Sequence, residues 1–262
     1  MNTLQNSGSF ARASCDEVFS DEKIISSFIN RVAEISKTED PAEACVLLGE
    51  CAKMLGATSA AYATFLEEDP WRQTYRFVLA CHPAWCAEYQ KQSWFSDDPW
   101  LIYARTNSVA ARSSEIPVRT GSQQAIVDLA RRFGVASSLI VPIPAAGAVS
   151  RVGVLMLGSS HPDFFQGSEY SKFKLHARNL AHEIHEWYVD FMKTQLLTAS
   201  NLSDQDIELL KLARAGMGTK EIAKYTGQKI SAIDCRFQRI IARLKVPSRN
   251  AAARLAAEYS VI

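Results

Sequence analysis

Two periodicities divide the chain. Over 22–36 and 41–55 apolar residues recur three or four positions apart, and Ile25, Phe28, Ile29, Val32 and Ile35 make one continuous stripe. That spacing predicts two amphipathic helices with a buried face. Four short apolar runs follow, at 58–66, 74–81, 137–144 and 151–160, and these read as strands. Helical spacing returns over 122–132 and again over 167–195. Neighbouring strands with no helical crossover between them pair antiparallel, so the pattern predicts a central sheet with helices on both faces.

The last sixty residues carry no strand pattern. Between Thr219 and Leu244 two helical segments flank Gly227, and in the second Ile233, Phe237, Ile240, Ile241 and Leu244 share one face. Lys229, Arg236, Arg239 and Arg243 lie largely off that face. A short helix, a glycine turn and an amphipathic helix with a basic outer side is the plan of a helix-turn-helix, whose second helix enters the major groove. On that plan the basic residues meet phosphates, and Ser231, Asp234 and Gln238 reach base edges. An ordinary helical bundle with a solvated basic face has the same pattern.

Charge separates the two readings. Residues 200–262 hold eleven Lys and Arg against six acids, a net of +5, whereas the whole chain is +1. The remainder therefore carries eighteen bases and twenty-two acids. Only the C-terminal part suits a polyanionic partner.

The same segment resembles the DNA-binding domain of LuxR-type regulators. The resemblance rests on Asp206, Leu210, Gly216, Glu221-Ile222-Ala223, Ile233, Arg243-Leu244-Lys245-Val246 and Arg249. It implies four helices, at about 203–215, 219–226, 230–244 and 248–259. Ser203 can cap the first, Gly216 and Gly218 suit the break before the second, and Pro247 stops the third. The chain departs from the family at Thr226-Gly227-Gln228-Lys229 and at Asp234, so an operator sequence does not carry over from relatives.

Upstream, Trp85 and Tyr89 are four apart on one helix face, and Asp98-Pro99 can cap and start the next helix. With Phe133-Gly134 and Pro142 beyond them, these residues resemble the autoinducer-binding domain of the same family. The resemblance implies that Trp85 donates its indole N–H to a lactone carbonyl, Asp98 accepts from the ligand amide, and Tyr89 borders the acyl chain. Cys81, Ser113 and Met156 complete the expected ligand site. The family's second tryptophan falls near Ser113, its glycine before the third strand at Ser138, and a hydroxyl position of the fourth strand at Met156, across a loop around Gly147. These losses point to a smaller or differently shaped ligand, or to none.

No Gly-x-Ser-x-Gly, Walker loop, dinucleotide fingerprint or paired-carboxylate constellation is present, so an enzyme is not expected. The six cysteines form no Cys-x-x-Cys pair and read as buried reduced thiols. His182 and His185 in AHEIHEW read as surface groups on a helix, with no supporting metal ligands. No cofactor is expected beyond a small-molecule signal such as an N-acyl-homoserine lactone. No apolar run reaches membrane length and the N-terminus lacks a secretory core, which predicts a cytoplasmic protein.

The expected organisation is α+β: an N-terminal α/β/α sandwich with a central antiparallel sheet, then an all-α four-helix helix-turn-helix domain. Its boundaries are a flexible arm over 1–20, a sensor domain over 21–195, a linker over 196–201 and a DNA-binding domain over 202–262. The expected partners are double-stranded DNA, a signal molecule and a second copy of the chain or a related regulator, with no membrane. The alternative is a ligand-independent regulator whose N-terminal domain serves dimerisation or heterodimerisation.

Overall fold

The computed structural model describes residues 13–19, 22–66, 75–144 and 151–262. The chain divides into two compact units within one long helix, between His185 and Glu186.

In the first unit, helices α1 (Glu22–Ile35) and α2 (Pro41–Met54) precede strands β1 (Ser59–Leu66) and β2 (Arg76–Ala80). Then come α3 (Pro83–Lys91), α4 (Pro99–Thr106), a two-residue strand β3 (Ala111–Arg112) and α5 (Gly121–Arg132). Strands β4 (Ser137–Ile143) and β5 (Arg151–Ser159) lead into the 31-residue α6 (Tyr170–Ser200). Three of these helices start with a proline preceded by a capping residue. Asp40 accepts from the Ala42 N–H at 2.9 Å, His82 from Ala84 at 3.2 Å and Asp98 from Trp100 at 2.7 Å. Proline has no N–H to waste at a helix start, and its φ is already helical.

The strand order is β2-β1-β5-β4-β3. Pairs β1/β2, β3/β4 and β4/β5 are antiparallel. Thr58 donates to Gly158 and Thr64 to Val152, so β1 and β5 also run in opposite directions. All nine residues of β5 are buried, as are the last six of β4, which explains their unbroken apolar runs. The even-numbered side of β1 meets α6, where the Tyr62 hydroxyl and His185 Nδ1 are 2.7 Å apart. The odd-numbered side, with Ala61 and Ala63, faces α3 and α4 across a cavity. The α/β/α layering follows.

Strand β3 was not legible in the sequence, because two residues carry no periodicity. His185 faces the sheet and is not a surface group, whereas His182 is exposed. The expected arm is also corrected over residues 13–19. Cys15 and Val18 are fully buried, and Asp16 accepts from the Ser168 and Glu169 backbones at 3.1 and 2.7 Å. The rest of the arm, apart from those residues, and the loop around Gly147 lie outside the described residues. The expected linker over 196–201 is helical as far as Ser200, and Asn201, with φ of 49°, turns the chain.

Beyond that turn the second unit contains α7 (Asp204–Arg214), α8 (Thr219–Thr226), α9 (Ile230–Leu244) and α10 (Arg249–Glu258). Ser203 caps α7 reciprocally with Asp206. Gly227 ends α8 at φ 68° and Lys245 ends α9 at φ 53°, so the third helix stops by a left-handed C-cap two residues before Pro247. Leu209, Leu210, Ile222, Ile233, Phe237 and Ile240 lie at the centre of this unit's core.

Candidate functional site

Between the sheet and helices α3 and α4 lies an apolar cavity of roughly 70 Å³. Its walls include Phe77 and Leu79 from β2, Ile140 from β4, Val154 and Met156 from β5, and Trp100 from α4. Cys81, Trp85, Tyr89 and Asp98 also line it. The polar groups here fall into two sets. The Asp98 carboxylate is satisfied: one oxygen accepts from the Trp100 and Leu101 N–H groups, the other from the Tyr89 hydroxyl at 2.7 Å. Burial pushes its pKa up, and those hydrogen bonds only partly offset the effect. Burial also raises the Tyr89 phenol, and the adjacent carboxylate raises it further. The Trp85 indole N–H, by contrast, is buried with no hydrogen-bond partner.

Such a donor costs about 1–3 kcal/mol when left unpaired. The same helix presents Tyr89 one turn further on, because positions four apart share a face. Asp98 is fixed by its role as helix cap.

The second unit holds the other candidate surface, on α9. Lys229, Ser231, Asp234, Gln238 and Arg239 are exposed. Arg236 and Arg243 are placed differently from the sequence expectation. Arg236 Nε is 2.8 Å and Arg243 Nη1 is 3.3 Å from the buried Asp206 carboxylate. Arg236 also bonds Gln205, and Arg243 donates to the Asn201 carbonyl at 3.0 Å. Both guanidinium groups tie α9 to α7, which draws them away from a purely outward role. Tyr225 and Ile230, exposed beside the start of α9, are apolar groups the sequence reading passed over.

A family model for the autoinducer binding domain matches residues 40–187. The chain belongs to the autoinducer-binding family of LuxR-type regulators. It is thus a signal-responsive transcription regulator. The fold agrees. A structure of SdiA in complex with octanoyl-rac-glycerol superposes with a TM-score of 0.69 at 15% identity, covering 91% of this chain and 96% of that one. A crystal structure of Escherichia coli SdiA gives the same score and identity, over 91% and 98%. CepR2 of Burkholderia cenocepacia, an N-acylhomoserine lactone dependent LuxR family factor, matches at 0.54 and 15%, over 64% and 96%. At such identity the likeness is one of fold. A search of curated proteins found no significant match.

Within this autoinducer-binding fold, five of the six expected ligand positions converge on the apolar cavity, namely Cys81, Trp85, Tyr89, Asp98 and Met156. Ser113 does not. It begins a 3-10 turn after β3, where its hydroxyl accepts from the Ser138 N–H at 3.1 Å. It lines a second, more polar cavity of roughly 310 Å³, with Ser137, Ser138 and one side of Trp100. Ser113 does not line the first cavity. Phe77, Trp100 and Ile140 were missed as cavity walls, because apolar patterning marks them only as core residues. No helix among the described residues is long and apolar enough to cross a membrane.

Proposed function

We propose that this regulator binds a small acyl signal, an N-acyl-homoserine lactone or a related acyl ester, in the cavity beside Trp85, and binds double-stranded DNA as a dimer through α9. The observation that carries the ligand half is the buried, unpartnered Trp85 indole N–H in a largely apolar wall whose Asp98 and Tyr89 groups are paired with each other. An acyl carbonyl supplies the missing acceptor, and an alkyl chain suits Phe77, Leu79 and Met156. The octanoylglycerol bound by SdiA has the same parts, a carbonyl joined to an apolar chain. The DNA half is supported by the basic C-terminal unit and by the exposed residues on the outer side of α9. A ligand buried in the folded core stabilises that fold by linkage, and dimerisation then presents paired recognition helices to a two-fold operator.

A second reading, a ligand-independent regulator, is favoured by the cavity's size. At roughly 70 Å³ it is well below the ~300 Å³ of ordinary ligand sites, so an acyl chain enters only if side chains such as Met156 move.

The deciding experiment combines native mass spectrometry of the protein from cells with thermal melts against acyl-homoserine lactones and 1-octanoylglycerol. The first reading expects a bound acyl compound or a raised melting temperature, reduced in Trp85→Phe while the unliganded melt stays close to wild type. An empty protein that no compound stabilises, yet which binds duplex DNA as a dimer, supports the second reading.

A further inference from the structure

The cavity wall also contains two cysteines. Cys81 directly follows β2 and Cys86 sits in the first half of α3, on either side of Trp85 in sequence. Their sulfurs are 3.1 Å apart, both thiols are free, and both residues are half-buried, within reach of small solutes. Close approach of two thiols on adjacent elements is the arrangement in which oxidation of one is captured by the other.

We propose that Cys81 and Cys86 are a reversible dithiol–disulfide site in the wall of the signal cavity, oxidised by hydrogen peroxide. The chemistry balances as follows. The Cys86 thiolate attacks one peroxide oxygen and breaks the O–O bond. This leaves Cys86 as a sulfenic acid, and the departing hydroxide takes up a proton to become water. The Cys81 sulfur, having lost its proton, then attacks the Cys86 sulfur. The S–S bond forms, the S–O bond breaks, and the second hydroxide becomes water. In sum two thiols and one peroxide give one disulfide and two waters, a two-electron exchange.

The assignment of roles has a physical basis. The hydrogen bond from the Cys81 thiol lowers the pKa of Cys86 against the opposing effect of burial. Donating that bond, together with burial, raises the pKa of Cys81. The lowered pKa makes Cys86 the more readily ionised, attacking sulfur, and Cys81 the resolving one. Once Cys86 is a neutral sulfenic acid, the interaction that held the proton on Cys81 is gone. The other cysteines of this unit are placed for different fates. Cys51 is fully buried with its thiol pushed up to about 12, and Cys45 donates to the Leu79 carbonyl at 3.0 Å. A Cys81–Cys86 bond would tie the end of β2 to α3 around Trp85 and so restrict the cavity wall.

The test uses the reduced full chain, hydrogen peroxide, alkylation and tryptic mapping, and needs neither signal nor DNA, so it stands apart from the functional proposal. The peptide Phe77–Lys91 carries both cysteines. Peroxide is expected to make this peptide two hydrogens lighter and resistant to alkylation, with dithiothreitol restoring both thiols and Cys51 remaining free. Cys45→Ser should leave the bond intact, and Cys86→Ser should abolish it. In unoxidised protein, alkylation of Cys86 should reach half its maximal rate at a pH below the ~8.5 of an ordinary thiol and move upward in Cys81→Ala, which removes the donor. Accumulation of Cys86 sulfinic acid beside a free Cys81, a bond to Cys45, or oxidation confined to the exposed Cys235 would each overturn the proposal.

Discussion

Asp98 and Asp206 are both nearly buried carboxylates, at 4% exposure each, yet their surroundings move them in opposite directions. For Asp98 burial dominates, and its pKa lies above the ordinary 3.8. Its charged form therefore costs stability, a contribution that is most favourable below 3.8 and lost as pH rises through the raised value. A carboxylate kept at that cost in a cavity wall is expected of a binding group, and here it also caps α4. For Asp206 burial again acts upward, but the hydrogen bonds from Arg236 and Ser203 outweigh it and hold the pKa below 3.8. Its contribution is present above 3.8 and disappears as pH falls through the depressed value. Asp206→Asn should accordingly lower stability at pH 7 by about 1–3 kcal/mol, a figure reduced for the partial exposure of both arginines. Urea titrations should show the gap between variant and wild type closing as pH falls through the depressed value. A gap that persists unchanged would remove Asp206 from the acid response.

At the scale of the element, α9 shows two functions divided around one helix. Ile233, Phe237, Ile240 and Leu244 anchor it, while Ser231, Asp234 and Gln238 face solvent at helical spacing. Between these faces the arginines diverge. Arg239 is exposed, whereas Arg236 holds Asp206. Binding titrations with duplex DNA at several salt concentrations should show Arg239→Ala lowering the log–log salt slope by about one with its melting temperature unchanged. Arg236→Ala should lower the melting temperature first, with weakened binding following from the loosened α7–α9 junction. Equal behaviour of the two variants would contradict this division. Periodicity places every one of these residues on its correct face. It does not distinguish an arginine free for phosphate from one held by an acid thirty residues earlier, because that pairing is set by how α7 crosses α9.

At the scale of the whole molecule, each of the two units has its own hydrophobic core, and that of the second unit is built from Leu209, Ile222, Phe237 and Ala256 among others. Calorimetry of the full chain should therefore resolve more than one transition, and a signal that binds in the first unit should raise its transition by RT ln(1 + [L]/Kd). A single transition that ligand shifts as one would indicate that the units unfold together. Most helices, four of the five strands and the basic C-terminal unit were determined by the sequence alone, because 3.6- and 2-residue periods, caps and glycine breaks are local chemistry, whereas the end of the long helix at Ser200 was not. Spacing placed Trp85 and Tyr89 on one helix face and Asp98 at the start of the next helix, and only the resemblance to the family marked the three as one site. The tertiary structure alone decided that Ser113 turns to Ser138 and a different cavity, that His185 reaches Tyr62, and that Arg236 and Arg243 converge on Asp206. It also decided that Cys81 and Cys86 meet sulfur to sulfur. Each of these depends on where one element crosses another, and that is set by the summed packing of side chains distant in sequence, which no local pattern encodes.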